Sequence, residues 1–120
     1  MKIALITTTI RVPHVLALYR EHAGPEVRFF VAGDRKSPHA QTIAMLGGLQ
    51  NAAYFYDDQA HSYAPLDSTC RRNIALLEAL RWGADVIVTI DDDNIPIDED
   101  YFINFETLFQ RWDRPDTHRP

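Results

Sequence analysis

Apolar and polar residues alternate along the chain in blocks of two kinds. Four short apolar runs are typical of buried strands, and they lie at residues 3–7, 27–32, 53–56 and 86–90. Apolar residues at helical spacing predict helices that begin near Pro13, Ser37, Asp67 and Asp98. Strands that alternate with helices indicate a parallel sheet with helices over its faces, so the predicted fold class is α/β.

The clearest helical pattern begins at Asp67 or Ser68 and ends at Gly83. Its apolar positions are Ile74, Leu76, Leu77, Leu80 and Trp82. Gly83 is the predicted stop, because glycine readily adopts the left-handed conformation that ends many helices. For the second helix, Ser37-Pro38 is the predicted cap.

The order of the elements predicts a Rossmann-like, doubly wound and mainly parallel sheet. In such a sheet the first strand is central, the second and third lie on one side of it, and the fourth lies on the other. A crevice opens at the carboxyl ends of the first and fourth strands. We therefore expect Thr7–Thr9 to face Asp91–Asp93 across this crevice, with Asp34 near the same rim.

Three consecutive carboxylates, Asp91, Asp92 and Asp93, follow the fourth strand directly. Because side chains alternate along an extended chain, Asp91 and Asp93 point one way and Asp92 the other. Two convergent carboxylates repel each other unless a cation lies between them, and oxygen ligands favour a hard divalent ion. The alternative is a solvated acidic turn closed by Asn94 and Pro96.

Composition narrows the class of protein. The chain has 120 residues, 46% of them hydrophobic and 24% charged, which is ordinary for one soluble globular domain. A net charge of −5 without a basic stripe argues against nucleic-acid binding. Cys70 is the single cysteine, so neither a disulfide framework nor a cysteine zinc site is expected.

Segments at the two ends of the sequence are also informative. The apolar run at residues 3–6 is too short for a signal peptide or a membrane span, so we expect a cytoplasmic protein. One α/β domain is predicted over residues 1–112. Residues 113–120 are polar and interrupted by proline, which predicts a flexible tail.

Phosphate-binding glycine motifs are missing from the sequence. Thr7-Thr8-Thr9-Ile10-Arg11 stands after the first strand, where a dinucleotide-binding fold has Gly-x-Gly-x-x-Gly, and there is no Walker sequence. If phosphates bind, we expect a metal ion to neutralise them instead of a glycine-rich loop.

Three segments together carry a resemblance to known families. They are Gly33-Asp34-Arg35-Lys36-Ser37-Pro38, Ser68–Asn73 with Gly83-Ala84, and Asp91-Asp92-Asp93-Asn94. An Asp-x-Asp after the fourth strand resembles the nucleotide-sugar half of GT-A glycosyltransferases. Over about residues 3–103 the three segments are similar to STELLO-like proteins and, more loosely, to the reversibly glycosylated polypeptides, which are UDP-arabinopyranose mutases.

The resemblance implies roles for the acidic residues. Asp91 and Asp93 would hold Mn²⁺ or Mg²⁺ at the diphosphate of a nucleotide-sugar donor. Asp91 or Asp92 would reach the ribose hydroxyls. Asp34 resembles an aspartate that accepts a hydrogen bond from the nucleobase imide, which favours a UDP-sugar.

It also implies roles for residues without a carboxylate. Thr8 and Thr9 occupy the position that contacts the base and ribose, and Arg71 or Arg72 resembles a basic residue beside the base and diphosphate. Adjacent helical residues point about 100° apart, so at most one arginine is expected to face the crevice. The alternatives are that the threonines cap a strand end, that Asp34 closes a Gly-Asp turn, and that both arginines are solvated.

Together these features predict a GT-A-type glycosyltransferase that binds a nucleotide-diphospho-sugar through a metal and transfers the sugar to an unknown acceptor. No catalytic base is predicted after Asn94, because the acidic residues there are typical of the first turn of a helix, where the helix dipole favours negative charge. The chain therefore resembles a donor-binding half that a longer chain, a partner or a second copy completes. A non-catalytic nucleotide-sugar module and a metal-dependent nucleotidyltransferase remain alternatives.

Overall fold

The computed structural model describes residues 1–59 and 61–91. The sequence predictions for Asp92, Asp93, the helix after Asp98 and the tail at residues 113–120 lie outside these ranges. Within them, no helix is long and apolar enough to cross a membrane.

Four strands and three α-helices alternate along the described chain. In order, they are β1 (Ile3–Thr9), α1 (Val15–Glu21), β2 (Val27–Gly33), α2 (His39–Gly47), β3 (Ala52–Phe55), α3 (Arg72–Trp82) and β4 (Val86–Thr89). A 3₁₀ turn, Thr69–Arg71, leads directly into α3. All strand pairs are parallel, and the strand order is β3-β2-β1-β4. This architecture confirms the predicted α/β class.

Helices cover both faces of the sheet, and the strands supply apolar side chains to each face in turn. In β1, Ile3 and Leu5 join one buried cluster with Leu16 and Tyr19 of α1. The intervening residues of β1, Ala4 and Ile6, join a second cluster that includes Ala75 and Ala79 of α3. This period of two explains why the central strands are apolar at consecutive positions.

The face of α3 that packs on the sheet is formed by small residues. Its fully buried residues are Ala75 and Ala79, whereas Leu77 and Leu80, two of the predicted apolar positions, are 40% and 55% exposed. Seven of the eleven residues of this helix are apolar and lie on several of its sides, so the leucines do not define its inward face. Alanine at the contact lets the helix axis approach the sheet closely, which the larger side chains would prevent.

The ends of the strands form a step at one edge of the sheet. β1 pairs with β2 over its whole length, up to Thr9 opposite Gly33. β4 pairs with β1 only as far as Ile6 opposite Thr89. Consequently, Thr7–Thr9 extend beyond the end of β4, and Thr8 and Thr9 form one wall of a crevice at the carboxyl ends of the strands, whereas Thr7 is fully buried.

Two local features hold the neighbouring end of β2 in place. A Cβ atom on Gly33 would lie 1.9 Å from the hydroxyl oxygen of Tyr54, so any larger residue here requires the Tyr54 side chain to shift. Of the predicted cap Ser37-Pro38, Pro38 is at the cap position of α2, and no side-chain cap bond forms. The Ser37 hydroxyl instead donates to the Thr9 carbonyl over 2.6 Å and accepts from the Asp34 amide over 2.8 Å.

Candidate functional site

A cavity of about 430 Å³ lies at the carboxyl ends of β1, β2 and β4 and at the start of α3. Its lining is polar and charged apart from one isoleucine: Thr8, Thr9, Ile10, Arg11, Asp34, Lys36, Asp67, Ser68, Thr69, Arg72 and Asp91. Four of the residues predicted from sequence for the site therefore line one cavity, namely Thr8, Thr9, Asp34 and Asp91. The end of a parallel sheet is where ligands of such folds bind.

Asp34 is buried at the base of this cavity and is 3% exposed. Its Oδ1 accepts hydrogen bonds from the amides of Arg35 and Asp67 over 2.8 Å and 2.9 Å, and Oδ2 accepts from the amide of Ser68 over 3.0 Å. A carboxylate offers about four acceptor positions, so the described hydrogen bonds leave one position on Oδ2. Asp34 thus closes the local Gly-Asp turn and also fixes the start of the 3₁₀ turn.

Opposing effects act on the pKa of Asp34. Burial raises this pKa, but the amide hydrogen bonds from Asp67, Arg35 and Ser68, together with the charge of Arg71, lower it further than burial raises it. The net pKa lies below its usual value, so Asp34 is a carboxylate at neutral pH. A carboxylate of this kind accepts a hydrogen bond from a ligand and is a poor proton donor.

The two threonines of β1 have partners within the protein. Thr8 donates its hydroxyl hydrogen to the Ala32 carbonyl over 2.8 Å. The Thr9 hydroxyl donates to the Arg11 carbonyl over 2.8 Å and accepts from the Arg11 amide over 3.1 Å, so it caps the turn after β1. Both threonines line the cavity.

Asp91 faces Arg72 across the open side of the cavity. Its Oδ1 lies 3.7 Å from Nη1 of Arg72, and their side chains are 72% and 33% exposed. This distance permits an ion pair but is long for a hydrogen bond. The open side of the cavity therefore has a carboxylate, which can bind a cation, and a guanidinium, which can bind an anion.

The two adjacent arginines of the predicted site point in different directions. Arg72 lines the cavity, whereas Arg71 is fully buried and donates to backbone carbonyls, among them Gln59 and Ala64. The expectation that at most one arginine faces the crevice therefore fits the geometry, with Arg72 in that position. Arg71, which the resemblance also offers as a ligand contact, does not line the cavity, and its guanidinium lies behind the cavity wall.

Several lining residues were missed from sequence. Lys36 lies in the segment between Gly33 and Pro38 that carries the resemblance, but no ligand role is predicted for it. Ser68 and Thr69 lie in the second segment of the resemblance, where ligand roles are predicted only for the arginines. Their signal is the hydroxyl pair before a helix, where backbone N–H groups and the helix dipole favour an anion.

The charges at the cavity are mixed. Asp67 forms an ion pair with Arg35, whose pKa is raised by the hydrogen bond and charge of Asp67. Asp91 lies beside Arg72, and Lys36 adds a further positive charge. A ligand that carries both anionic groups and hydrogen-bond donors matches such a lining better than a purely apolar one does.

One of the two predicted metal ligands lies at the mouth of the cavity. Asp91 presents its carboxylate there, and the second predicted ligand, Asp93, lies outside the described residues. Within residues 1–59 and 61–91, no three histidine, cysteine or acidic side chains are grouped closely enough to hold a metal ion. Asp34 is a poorer ligand than Asp91 because backbone amides already bind its oxygens.

Comparison with known proteins adds no relative. The sequence matches no protein-family model and no curated protein.

Proposed function

We propose that the chain binds a nucleotide-diphospho-sugar, with UDP as the favoured nucleotide, as the donor-binding part of a GT-A-type glycosyltransferase. The observation that supports this most strongly is the single cavity lined by Thr8, Asp34, Lys36, Arg72 and Asp91 at the carboxyl end of a parallel sheet. Within this proposal the four strands are the first part of a doubly wound sheet.

Asp34 is the proposed nucleobase contact. Its Oδ2 has one acceptor position beyond the bond from Ser68, and its lowered pKa keeps it ionised at neutral pH. The imide N–H of uracil is a donor that fits this position. Cytosine presents an acceptor at the same ring nitrogen, so Asp34 favours uracil over cytosine.

Lys36 and Arg72 are the proposed diphosphate contacts. Both line the cavity, and the hydroxyl-bearing residues Ser68 and Thr69 lie beside them at the start of the 3₁₀ turn. Guanidinium groups bind phosphate oxygens in pairs, and lysine adds a point charge. A diphosphate held here would replace part of the attraction between Arg72 and Asp91.

Asp91, with Asp93, is the proposed holder of Mn²⁺ or Mg²⁺. When bound, the ion would supply Lewis-acid stabilisation of the charge on a departing diphosphate. The residues of this chain bind and orient the donor: Asp34 reads the base, and Arg72 and Lys36 fix the phosphates. The proposal assigns no residue of this chain to the acceptor site or to the catalytic base. A longer chain, a second copy or a partner would supply them.

Calorimetric titration of UDP, CDP, GDP and several UDP-sugars, each with Mn²⁺ or with EDTA, tests the proposal. We expect metal-dependent binding of UDP that Asp34→Asn and Asp91→Asn both weaken. Glu21→Gln is the matched control, because it removes one carboxylate on the exposed side of α1, away from the cavity. A folded protein that binds no nucleotide with Mn²⁺ or with EDTA would refute the proposal.

Turnover distinguishes the neighbouring functions. Binding of UDP-sugar with slow hydrolysis supports a transferase half, and binding without any turnover supports a non-catalytic module. Formation of UDP-sugar from UTP and a sugar phosphate would instead identify a nucleotidyltransferase. Each result is read by the same chromatographic assay for UDP, UTP and UDP-sugar.

A further inference from the structure

Arg71 is the largest fully buried side chain of the described residues, with 0% exposure. Within that part of the chain, no carboxylate forms an ion pair with it. A buried charge without a counter-ion is costly unless its donors are bonded. The placement of Arg71 therefore calls for a role beyond filling the core.

Backbone carbonyl oxygens surround the guanidinium. Nη1 donates to Gln59 over 3.0 Å and to Ala64 over 3.1 Å, and Nη2 donates to Asp57. Nε makes a longer bond, 3.4 Å, to Gly33. One side chain thus accounts for four carbonyls that come from two separate stretches of chain.

The bonded carbonyls join the end of β2 to the loop that follows β3. We call residues 57–59 and 61–64 the anchored loop. Gly33 is the residue immediately before Asp34, so Arg71 is hydrogen-bonded to the main chain next to the proposed nucleobase contact. A second and uncharged anchor holds the same loop, because Asn73 Nδ2 donates to the Tyr63 carbonyl over 2.5 Å.

We propose that Arg71 is a positioning residue of the cavity, which holds the anchored loop against the end of β2 and keeps Asp34 in place as a negatively charged acceptor for the ligand. This inference rests on the proposed function. Arg71 acts through Asp34 from behind the cavity wall, whereas Arg72 touches the ligand. In this proposal, Arg71 positions Asp34 and Arg72 binds the phosphates, whereas the resemblance implies a role for only one of the two arginines.

Asp34 is surrounded by several charged or titratable groups that have to be separated from Arg71 in any test. Those from the elements around it are Arg35, Lys36, Tyr54, Asp67, Arg72 and Asp91. Burial raises the pKa of Asp34, the amide hydrogen bonds from Asp67, Arg35 and Ser68 lower it, and the positive charge of Arg71 lowers it further. Substitution at Arg71 alone leaves the other groups unchanged.

The experiment compares Arg71→Met, Arg71→Lys and Asn73→Ala with the unchanged chain. Carbon-13 NMR follows the titration of the Asp34 carboxyl group, and calorimetry measures UDP affinity with Mn²⁺. In Arg71→Met we expect Asp34 to titrate at higher pH and UDP to bind about tenfold more weakly, as for the loss of a hydrogen bond to a charged group.

The other two variants separate charge from packing. Arg71→Lys keeps the charge but has three donors for four carbonyls, so Asp34 should titrate as in the unchanged chain while the melting temperature falls. Asn73→Ala loosens the anchored loop without a change of charge and should leave the Asp34 titration unaltered. If Arg71→Met does not fold, Arg71→Gln is measured in its place, since it is neutral but retains two donors.

An Asp34 titration that is the same in the unchanged chain and in the neutral Arg71 variant would overturn the inference, as would an equal shift in Asn73→Ala. Failure of the proposed function has a different signature. In that case UDP does not bind the unchanged chain, and the NMR titration still reports whether Arg71 acts on Asp34.

Discussion

The Oδ2 atom of Asp34 lies 3.0 Å from the backbone nitrogen of Ser68, so a carboxylate at the end of β2 is bonded to the residue that starts the 3₁₀ turn before α3. This bond ties two walls of the cavity together. The same carboxylate has one acceptor position left for a ligand. Structure and binding therefore depend on one side chain.

Replacement of Asp34 should lower both the stability of the fold and the affinity for the ligand. In Asp34→Asn the charge is lost, and the amide nitrogen of the new side chain faces backbone N–H groups as a second donor. We expect the free energy of unfolding to fall by about 1–3 kcal/mol, the usual cost of an unsatisfied buried group. Urea denaturation measures the loss, and Glu21→Gln should change stability by less than about 0.5 kcal/mol.

Acid should weaken the fold through the same residue. The folded-state pKa of Asp34 is lowered, so the unfolded chain takes up the proton at higher pH than the folded chain does. The stabilisation is complete above the ordinary pKa of an aspartate and is lost as pH falls through the lowered folded pKa. Thermal melts at several pH values between about 6 and about 2 should show that the melting temperature declines less steeply in Asp34→Asn than in the unchanged chain.

A second acidic group prevents that decline from vanishing altogether. The hydrogen bond from His61 lowers the pKa of Asp57, which is exposed on the anchored loop. Its contribution remains in Asp34→Asn. Identical acid profiles for the two proteins would contradict the role assigned to the Asp34 hydrogen bonds.

Removal of the half-buried cation at the cavity should separate binding from stability. In Arg72→Gln we expect a change of at most about 1 kcal/mol in the free energy of unfolding, because its ion pair with the exposed Asp91 is long, at 3.7 Å, and is screened by solvent. UDP affinity should fall and should depend less steeply on salt, because one phosphate contact is lost. Arg81→Gln removes the exposed arginine of the Glu78 pair on the same helix, and it should leave both quantities unchanged.

Contact between Gly33 and Tyr54 predicts a steric penalty. In Gly33→Ala the new methyl group would meet the Tyr54 hydroxyl at 1.9 Å, so the side chain has to move, at a cost of about 1–3 kcal/mol. Tyr54→Phe removes that nearest atom and should reduce the penalty in a double-mutant cycle. A Cβ on Gly47 meets nothing within 4 Å, so Gly47→Ala is the control and should not destabilise.

Substitutions on α3 test which face of the helix contacts the sheet. Ala79 is fully buried and Leu80 is 55% exposed. Ala79→Leu should therefore overpack the contact and cost about 1–3 kcal/mol, whereas Leu80→Ala should change stability by about 0.5 kcal/mol or less. The opposite order in chemical denaturation would contradict the packing of the alanine face of α3 on the sheet.

The positions of the four strands could be predicted from sequence, because buried strands of a parallel sheet have short, continuous apolar sequences. The strand order and the meeting of Thr8, Thr9, Asp34 and Asp91 at one cavity were predictable from that pattern and from the topology of such sheets. These predictions require only that strand ends point to the same edge. They do not depend on the rotation of any helix.

The rest depends on rotations and turns that only the packed chain determines. A helix that is apolar on most sides has no preferred inward face in its sequence, so α3 turns its alanines inward and thereby buries Arg71 and exposes Arg72 to the cavity. Ser37 resembles a helix cap in sequence, but the nearby Thr9 carbonyl takes its hydroxyl instead. In both cases a tertiary contact prevails over a local preference.

Pairing of β1 with β4 has a consequence for how the site comes into being. The amide of Lys2 donates to Asp85 across a separation of 83 residues, next to the first residues of the β1–β4 ladder. During synthesis, β1 has one neighbour at most until that distant strand has emerged, and closing so long a loop is slow. The cavity is consequently among the last parts of the described chain to assemble, and a ribosome-bound intermediate that ends before β4 would expose a bare edge of β1 to other chains.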